Sequence, residues 1–307
     1  MLKTATAKKA WIGRTASMVF GLALVMALCS CGGGSQETNT PANSTANVIE
    51  GKFDVGDYKL YMRCEGSGSP TVVYFHGWIE EPASGGASNA GEIPSMLRDE
   101  HRICVYDRAN VDRSDDVSGL RTGESSVTDL HRLLDAAGVE PPYVLLGASF
   151  GGLISYSYAA TYPDEVVGMV LLDAQIPGLL EYEHYWPKEE RLQNVDWSET
   201  EEKIDQYDVN MYAQQVAGKA PDIPLTYLLA TPVSEAALGG GPPGWQEAAQ
   251  DELLKYVESF SPGVLKKVES PHYMEEAIPE RIAKEVEMLI ASISQQGAAH
   301  DGEASKK

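Results

Sequence analysis

Ser149 is the first residue in this 307-residue chain whose setting suggests chemistry. It stands in Gly147-Ala148-Ser149-Phe150-Gly151-Gly152, preceded by the apolar run Tyr143-Val-Leu-Leu and followed by Leu153-Ile-Ser-Tyr-Ser-Tyr-Ala-Ala. A bare G-x-S-x-G is weak, but strand, sharp turn and helix in succession put a serine hydroxyl on an exposed elbow, beside the N–H groups of a helix N-terminus where an oxyanion could form. Gly147 and Gly151 are expected there because a Cβ would meet the neighbouring strand and helix. A serine hydroxyl is a poor nucleophile at neutral pH and needs an imidazole within hydrogen-bond reach. Six histidines compete. His300 lies in a polar stretch, His131 on an amphipathic pattern, His101 ahead of a strand and His184 in a long insertion, so each has a plainer role to fill; His76 and His272 stay open. A carboxylate must then hold the imidazole in the right tautomer.

The elements that would position these groups follow from apolar patterning. Strands are predicted at Phe53–Val55, Tyr58–Cys64, Thr71–Phe75, Ile103–Tyr106, Tyr143–Leu146, Met169–Leu172, Leu225–Leu229 and Leu265–Val268, each bounded by Gly, Pro or Asp. Helical spacing recurs between most of them: Val127, Leu130, Leu133, Leu134 and Ala137 end at Gly138 with Pro141 and Pro142 beyond, and Leu153–Thr161 and Ile282–Ile293 show the same period. Strands alternating with helices imply the α/β class, a mainly parallel sheet covered on both faces. One stretch, Ile176 to Asp222, carries Tyr182, Tyr185, Trp186, Trp197, Tyr207 and Tyr212 among many acids. It is too long for a plain connection and is predicted to be a helical cap.

With these segments in view the chain resembles the α/β-hydrolase superfamily across roughly Val48 to Ser294. Val72-Val-Tyr-Phe-His76-Gly77-Trp78 resembles its strand-then-His-Gly segment, and Tyr106-Asp107-Arg108-Ala-Asn110-Val-Asp112-Arg-Ser114 resembles its Asp-Arg-x-Gly-x-Gly-x-Ser stretch, with Asn110 and Asp112 in place of the two glycines. The resemblance implies an eight-stranded, mostly parallel sheet with a cap after the sixth strand, an oxyanion hole from the N–H groups of Trp78 and Phe150, and His272, between the last strand and the last helix, as the base. The commonest acid position, after the seventh strand, holds no aspartate in Leu225-Thr-Tyr-Leu-Leu-Ala-Thr-Pro-Val-Ser-Glu235. Asp173, ending Met169-Val-Leu-Leu, stands where some relatives place the acid, and an unpaired carboxylate at the end of an apolar strand would be costly. Asp173 is therefore preferred and Glu235 is the alternative. Cys64 and Cys104 lie on the second and fourth strands, neighbours in this superfamily's sheet, which predicts a disulfide; two buried thiols are the other reading.

The first 30 residues stand apart from this domain. Lys3, Lys8, Lys9 and Arg14 lead into Met18–Leu28, an apolar run about 16 Å long as a helix, short of the roughly 30 Å that a membrane span needs. That is export-signal architecture. Leu28-Cys29-Ser30-Cys31 resembles the lipobox of bacterial lipoproteins, which implies lipidation of Cys31 after cleavage; a plain secretory signal or an uncleaved anchor is the alternative. Residues 31–47, rich in Gly, Ser, Thr, Asn and Pro, suit a flexible tether. The expected layout is thus signal 1–30, tether 31–47, hydrolase domain 48–294 with the cap at about 176–222, and polar tail 295–307.

Composition limits the remaining possibilities. Lys+Arg 24 against Asp+Glu 45 gives a net charge of −21, and the leader removes only basic residues, so the exported form is more acidic still. This argues against a nucleic-acid partner. Without His-x-x-x-His, Cys-x-x-Cys, an Asp-rich loop or a Gly-Lys-Ser/Thr phosphate cradle, neither a metal nor an organic cofactor is implied. The expected activity is a lipid-anchored serine hydrolase of carboxylic esters on the extracytoplasmic face, its aromatic cap favouring an apolar acyl or aryl group. A peptidase or thioesterase on the same triad, or a non-catalytic ligand-binding lipoprotein of the same fold, are the alternatives.

Overall fold

The computed structural model describes residues 47–79, 85–178, 200, 202–218, 222–231 and 244–304. The leader, Cys31, nearly all of the tether, Glu235, His184 and the aromatic residues from Tyr182 to Trp197 lie outside these.

Eight strands form one sheet in the order β1-β2-β4-β3-β5-β6-β7-β8. They are β1 (Ile49–Asp54), β2 (Lys59–Glu65), β3 (Thr71–Phe75), β4 (Ile103–Tyr106), β5 (Tyr143–Ala148), β6 (Val166–Leu172), β7 (Leu225–Thr231) and β8 (Gly263–Glu269). The pairs β1/β2 and β2/β4 are antiparallel and every other pair is parallel. All eight predicted strands are present, and the differences are at their ends. β1 takes in Ile49–Lys52, where half-buried and exposed residues alternate along a sheet edge, and β6 begins at Val166 instead of Met169.

The helices are α1 (Ile93–Leu97), α2 (Gly123–Ala136), α3 (Phe150–Thr161), α4 (Gln206–Val216), α5 (Trp245–Glu258), α6 (Met274–Ala277) and α7 (Pro279–Ala304). The central strands are apolar at consecutive positions because both of their faces are covered. Val73 and Leu145 join one core with Leu130 and Leu133 of α2 and Leu153 of α3, while Val72, Tyr74, Val144 and Leu146 join a second with Ile93 of α1 and Ile282 and Val286 of α7. α2 starts on a reciprocal cap between Thr122 and Ser125 and stops before Gly138, whose φ is 65°. α4 is the described helix of the predicted cap region. The last helix runs past Ser294, where the sequence reading ends the domain, to Ala304.

Cys64 and Cys104 are direct partners in the β2/β4 register and form a disulfide. Asn110 and Asp112, in the glycine positions of the Asp-Arg stretch, keep the left-handed backbone that glycine would supply, with φ of 67° and 40°. Asn and Asp enter that region at low cost, and the Asn110 side chain is used on both sides: its Oδ1 accepts the Val117 N–H at 2.6 Å and its Nδ2 donates to the Glu202 carbonyl at 3.0 Å.

Candidate active site

Ser149 sits between β5 and α3 with φ 49° and ψ −124°, a conformation that non-glycine residues rarely adopt. The surroundings hold it there. Its N–H donates to the Leu172 carbonyl at 3.0 Å, and its carbonyl accepts the N–H groups of Gly152 and Gln175 at 3.0 and 2.9 Å. The glycines around it are required by close approach. A Cβ on Gly151 would lie 2.2 Å from the Phe75 carbonyl oxygen, and one on Gly147 would lie 2.6 Å from Ser155 Oγ.

Asp173 follows the last residue of β6, also at positive φ (41°). Its own N–H donates to the Leu228 carbonyl at 2.8 Å and its Oδ1 accepts the Ala230 N–H at 3.2 Å, so β7 fixes the carboxylate. His272 lies in the turn between β8 and α6, its carbonyl accepting the Met274 N–H at 2.9 Å. Three parallel strands thus end at one edge of the sheet with their loops converging, as ligand sites in open α/β sheets do.

The side chains meet in line: His272 Nδ1 is 2.7 Å from Asp173 Oδ2, and His272 Nε2 is 3.0 Å from Ser149 Oγ. A carboxylate only accepts, so Nδ1–H donates to Asp173 and Nε2 is left to accept the serine O–H. The hydrogen bond to Asp173 raises the imidazole above its ordinary 6.5, with burial opposing and the Glu275 carboxylate adding a smaller push upward. A cavity of about 180 Å³ opens over Ser149 and His272, walled by Trp78, Phe150 and Tyr273 and by the polar side chains of Asn89, Gln175 and Glu275.

Residues 70–222 match the family model described as alpha/beta hydrolase fold. The chain has the α/β-hydrolase fold. Among curated proteins it is similar to the uncharacterized protein YqjL of Bacillus subtilis (strain 168), 35% identical over 111 residues, 36% of this chain and 41% of that protein. It is also similar to the putative carbamate hydrolase RutD of Azorhizobium caulinodans, 30% identical over 118 residues, 38% of this chain and 42% of that one. The chain spans about two fifths of the length of these relatives. The haloalkane dehalogenase DbeA-M1 loop variant from Bradyrhizobium elkanii superposes with a TM-score of 0.57 at 14% identity, over 82% of this chain and 99% of that chain, a likeness of fold alone.

Within this hydrolase fold, Ser149, Asp173 and His272 come together, and Trp78 and Phe150 line the same cavity. His76, left open beside His272 by its residue type alone, has another place. Burial and the adjacent Arg108 hold its imidazole well below its ordinary range, and the neutral ring donates from Nδ1 to the Gly77 carbonyl at 2.8 Å while Nε2 accepts the Arg108 N–H at 3.4 Å. His131 stacks on Tyr162 and has its Nδ1 3.3 Å from Glu165 Oε1, partners that belong to the end of α3 and the turn after it.

Two features of the site escape sequence reasoning. Glu275 is buried beneath His272, its Oε1 accepting the Tyr74 O–H at 2.7 Å, and burial raises its carboxyl above the usual carboxylate range. Its neighbour Glu276 gives the pair the look of a solvated helix start, and only its spacing of three residues from His272 hinted otherwise. Arg108 and Glu202 form the other: a buried ion pair, Nε to Oε1 2.6 Å, between residues 94 positions apart.

Proposed function

We propose that this chain is an exported serine hydrolase that cleaves carboxylic esters through an acyl-enzyme. The reading is carried by the two hydrogen bonds, 2.7 and 3.0 Å, that link Asp173 to His272 and His272 to Ser149, the last two of which line the cavity. In it, Ser149 Oγ attacks the ester carbonyl while His272 Nε2 takes its proton. The resulting oxyanion is received by the N–H groups of Trp78 and Phe150. His272 returns the proton to the departing alcohol, leaving the acyl group on Ser149. Water then repeats the sequence, losing a proton to His272 and releasing the acid. Asp173 holds the imidazole tautomer throughout and stabilises its cationic form. Trp78, Phe150 and Tyr273 give an apolar acyl or aryl group surfaces to rest on.

Export and anchoring rest on the leader alone: the basic start, the short apolar run and the lipobox-like Leu28-Cys29-Ser30-Cys31 support a mature chain tethered to the membrane by a lipid on Cys31. Among the described residues no helix is long and apolar enough to cross a membrane.

The deciding experiment is labelling with a fluorophosphonate probe and mapping of the modified peptide, run on the full protein and on Ser149→Ala, with ester, amide and thioester turnover measured in parallel. An adduct on Ser149, lost in the variant, with ester turnover foremost is the expected result. No adduct would overturn the hydrolase reading and leave a ligand-binding role; faster amide or thioester turnover would reassign the substrate. Mass spectrometry of the mature N-terminus should show a lipidated Cys31, and a free N-terminus elsewhere would refute the anchor.

A further inference from the structure

The loop that follows β3 is gripped from behind. Arg108, 5% exposed, spreads its guanidinium over three partners: Nη1 donates to the His76 carbonyl at 2.7 Å, Nη2 to the Gly77 carbonyl at 2.8 Å and Nε to Glu202 Oε1 at 2.6 Å. Glu202, 1% exposed, uses its other oxygen to accept the Ile79 N–H at 3.1 Å. The ion pair therefore holds the backbone on both sides of Trp78. The guanidinium also lies 5.6 Å from the centre of the ring of Phe150, the second residue whose N–H is assigned to the oxyanion.

The peptide unit explains why this grip matters. The Gly77 carbonyl and the Trp78 N–H belong to one planar trans amide, in which C=O and N–H point in opposite directions. Fixing the carbonyl toward Arg108 and His76 fixes the N–H away from them. On the other side of this loop is Ser149: a Cβ on Gly77 would lie 3.4 Å from Ser149 Cβ, and Gly77, Trp78 and Ser149 share the cavity wall. Neither Arg108 nor Glu202 reaches the reacting atoms.

The geometry points to Arg108 and Glu202 as a positioning pair that aims the Trp78 N–H at the oxyanion, and through Glu202 ties that aim to the segment that leads into α4 within the insertion after β6. The segment is itself anchored. Asn110 Nδ2 holds the Glu202 carbonyl, the Arg121 N–H donates to the Lys203 carbonyl at 2.7 Å, and the Asp205 N–H returns to the Arg121 carbonyl at 2.9 Å. A single ammonium cannot span two carbonyls and a carboxylate as the planar fork does, so lysine is no substitute at 108. This inference rests on the triad reading above, since only there does the Trp78 N–H have an oxyanion to meet.

The test compares 4-nitrophenyl butyrate with its thionoester, whose larger and weaker-accepting sulfur draws little from an oxyanion hole. For Arg108→Lys and Glu202→Gln in the full protein, kcat on the oxygen ester should fall about 10- to 100-fold, less than the full loss of a donor, with KM changed less than about 3-fold. Thionoester turnover should fall far less, so that the oxygen-to-sulfur ratio of kcat/KM collapses about 10-fold. General loosening of the fold would lower both substrates alike and leave the ratio at the wild-type value, which would overturn the inference, as would unchanged kcat. If either single variant does not fold, the Arg108→Met/Glu202→Gln double variant, which strands no buried charge, replaces it under the same criteria. A wild-type protein that the fluorophosphonate fails to label at Ser149 sinks the triad reading instead; labelling at Ser149 with an unaltered ratio in the variants sinks the positioning pair alone.

Discussion

Replacing Asp173 by Asn tests the proposed triad with the least disturbance of the fold. Position 173 has φ 41°, a region that asparagine enters as readily as aspartate, so the backbone has no reason to move. The carboxylate's two oxygens have distinct partners: Oδ1 takes the Ala230 N–H and Oδ2 takes His272 Nδ1. In the variant the Ala230 N–H keeps the amide oxygen, because reversing the amide would set donor against donor. The NH2 group therefore occupies the Oδ2 place and confronts Nδ1 with hydrogens. The imidazole can satisfy it only by moving its own proton to Nε2, where it ceases to accept from Ser149, 3.0 Å away. The wrong tautomer costs about ten-thousand-fold in kcat, or about 5.4 kcal/mol at 1.36 kcal/mol per decade. Initial rates on a chromogenic ester, with a melting curve to establish that the fold is kept, measure it. A folded Asp173→Asn protein retaining more than about a tenth of wild-type kcat would refute the assignment and move the acid to Glu235 or another group.

Four further outcomes follow from the structure. Because the hydrogen bond to Asp173 raises His272 and the base must be neutral, kcat/KM should climb through an apparent pKa above 6.5, and Glu275→Gln should move that limb to lower pH; an acid limb below 6 in the wild type would contradict this. The sign for stability is opposite: a raised histidine stabilises the fold below its unfolded pKa, and that share fades as pH rises through the folded value, so denaturant titrations of wild type and His272→Gln should converge toward alkaline pH. Gly151→Ala sets a Cβ 2.2 Å from the Phe75 oxygen and 2.5 Å from the His76 oxygen, backbone atoms that cannot swing aside, and should destabilise by about 3 kcal/mol or more with loss of activity; an unchanged melting temperature would show that the elbow yields. The Cys64–Cys104 bridge closes a separation of 40 residues and restricts the unfolded chain by about 4 kcal/mol, so the Cys64→Ala/Cys104→Ala protein should melt roughly 10 °C lower, and a shift under about 2 °C would argue against that restriction.

How much of this was legible in the chain depends on the distance over which each feature is encoded. The eight strands and the elbow are local: apolar runs of four to eight residues with glycine or proline at their ends specify them, and misjudged ends such as β1 belong to edge positions where half-burial blurs the pattern. Asp173 was legible for a different reason. An acid closing an apolar strand demands a partner, and the superfamily resemblance offered His272, between the last strand and the last helix, to supply it. Asn110 and Asp112 show the limit of reading glycine positions by residue type, since what those sites require is a left-handed backbone and these two residues also deliver it.

Arg108 with Glu202 and Tyr74 with Glu275 are joined across 94 and 201 residues, and nothing in a local window distinguishes their carboxylates from those that merely face water. In a chain with 45 acidic residues that distinction is the hard one. A buried acid becomes visible only when the fold supplies its donor, and here both donors stand within two residues of the ends of neighbouring strands, Tyr74 inside β3 and Arg108 just past β4. The same sheet edge that gathers Ser149, Asp173 and His272 therefore also gathers the groups that hold their surroundings in place. Convergence at strand ends builds the support together with the site, and the support, having no local signature, is the part that only the folded chain displays.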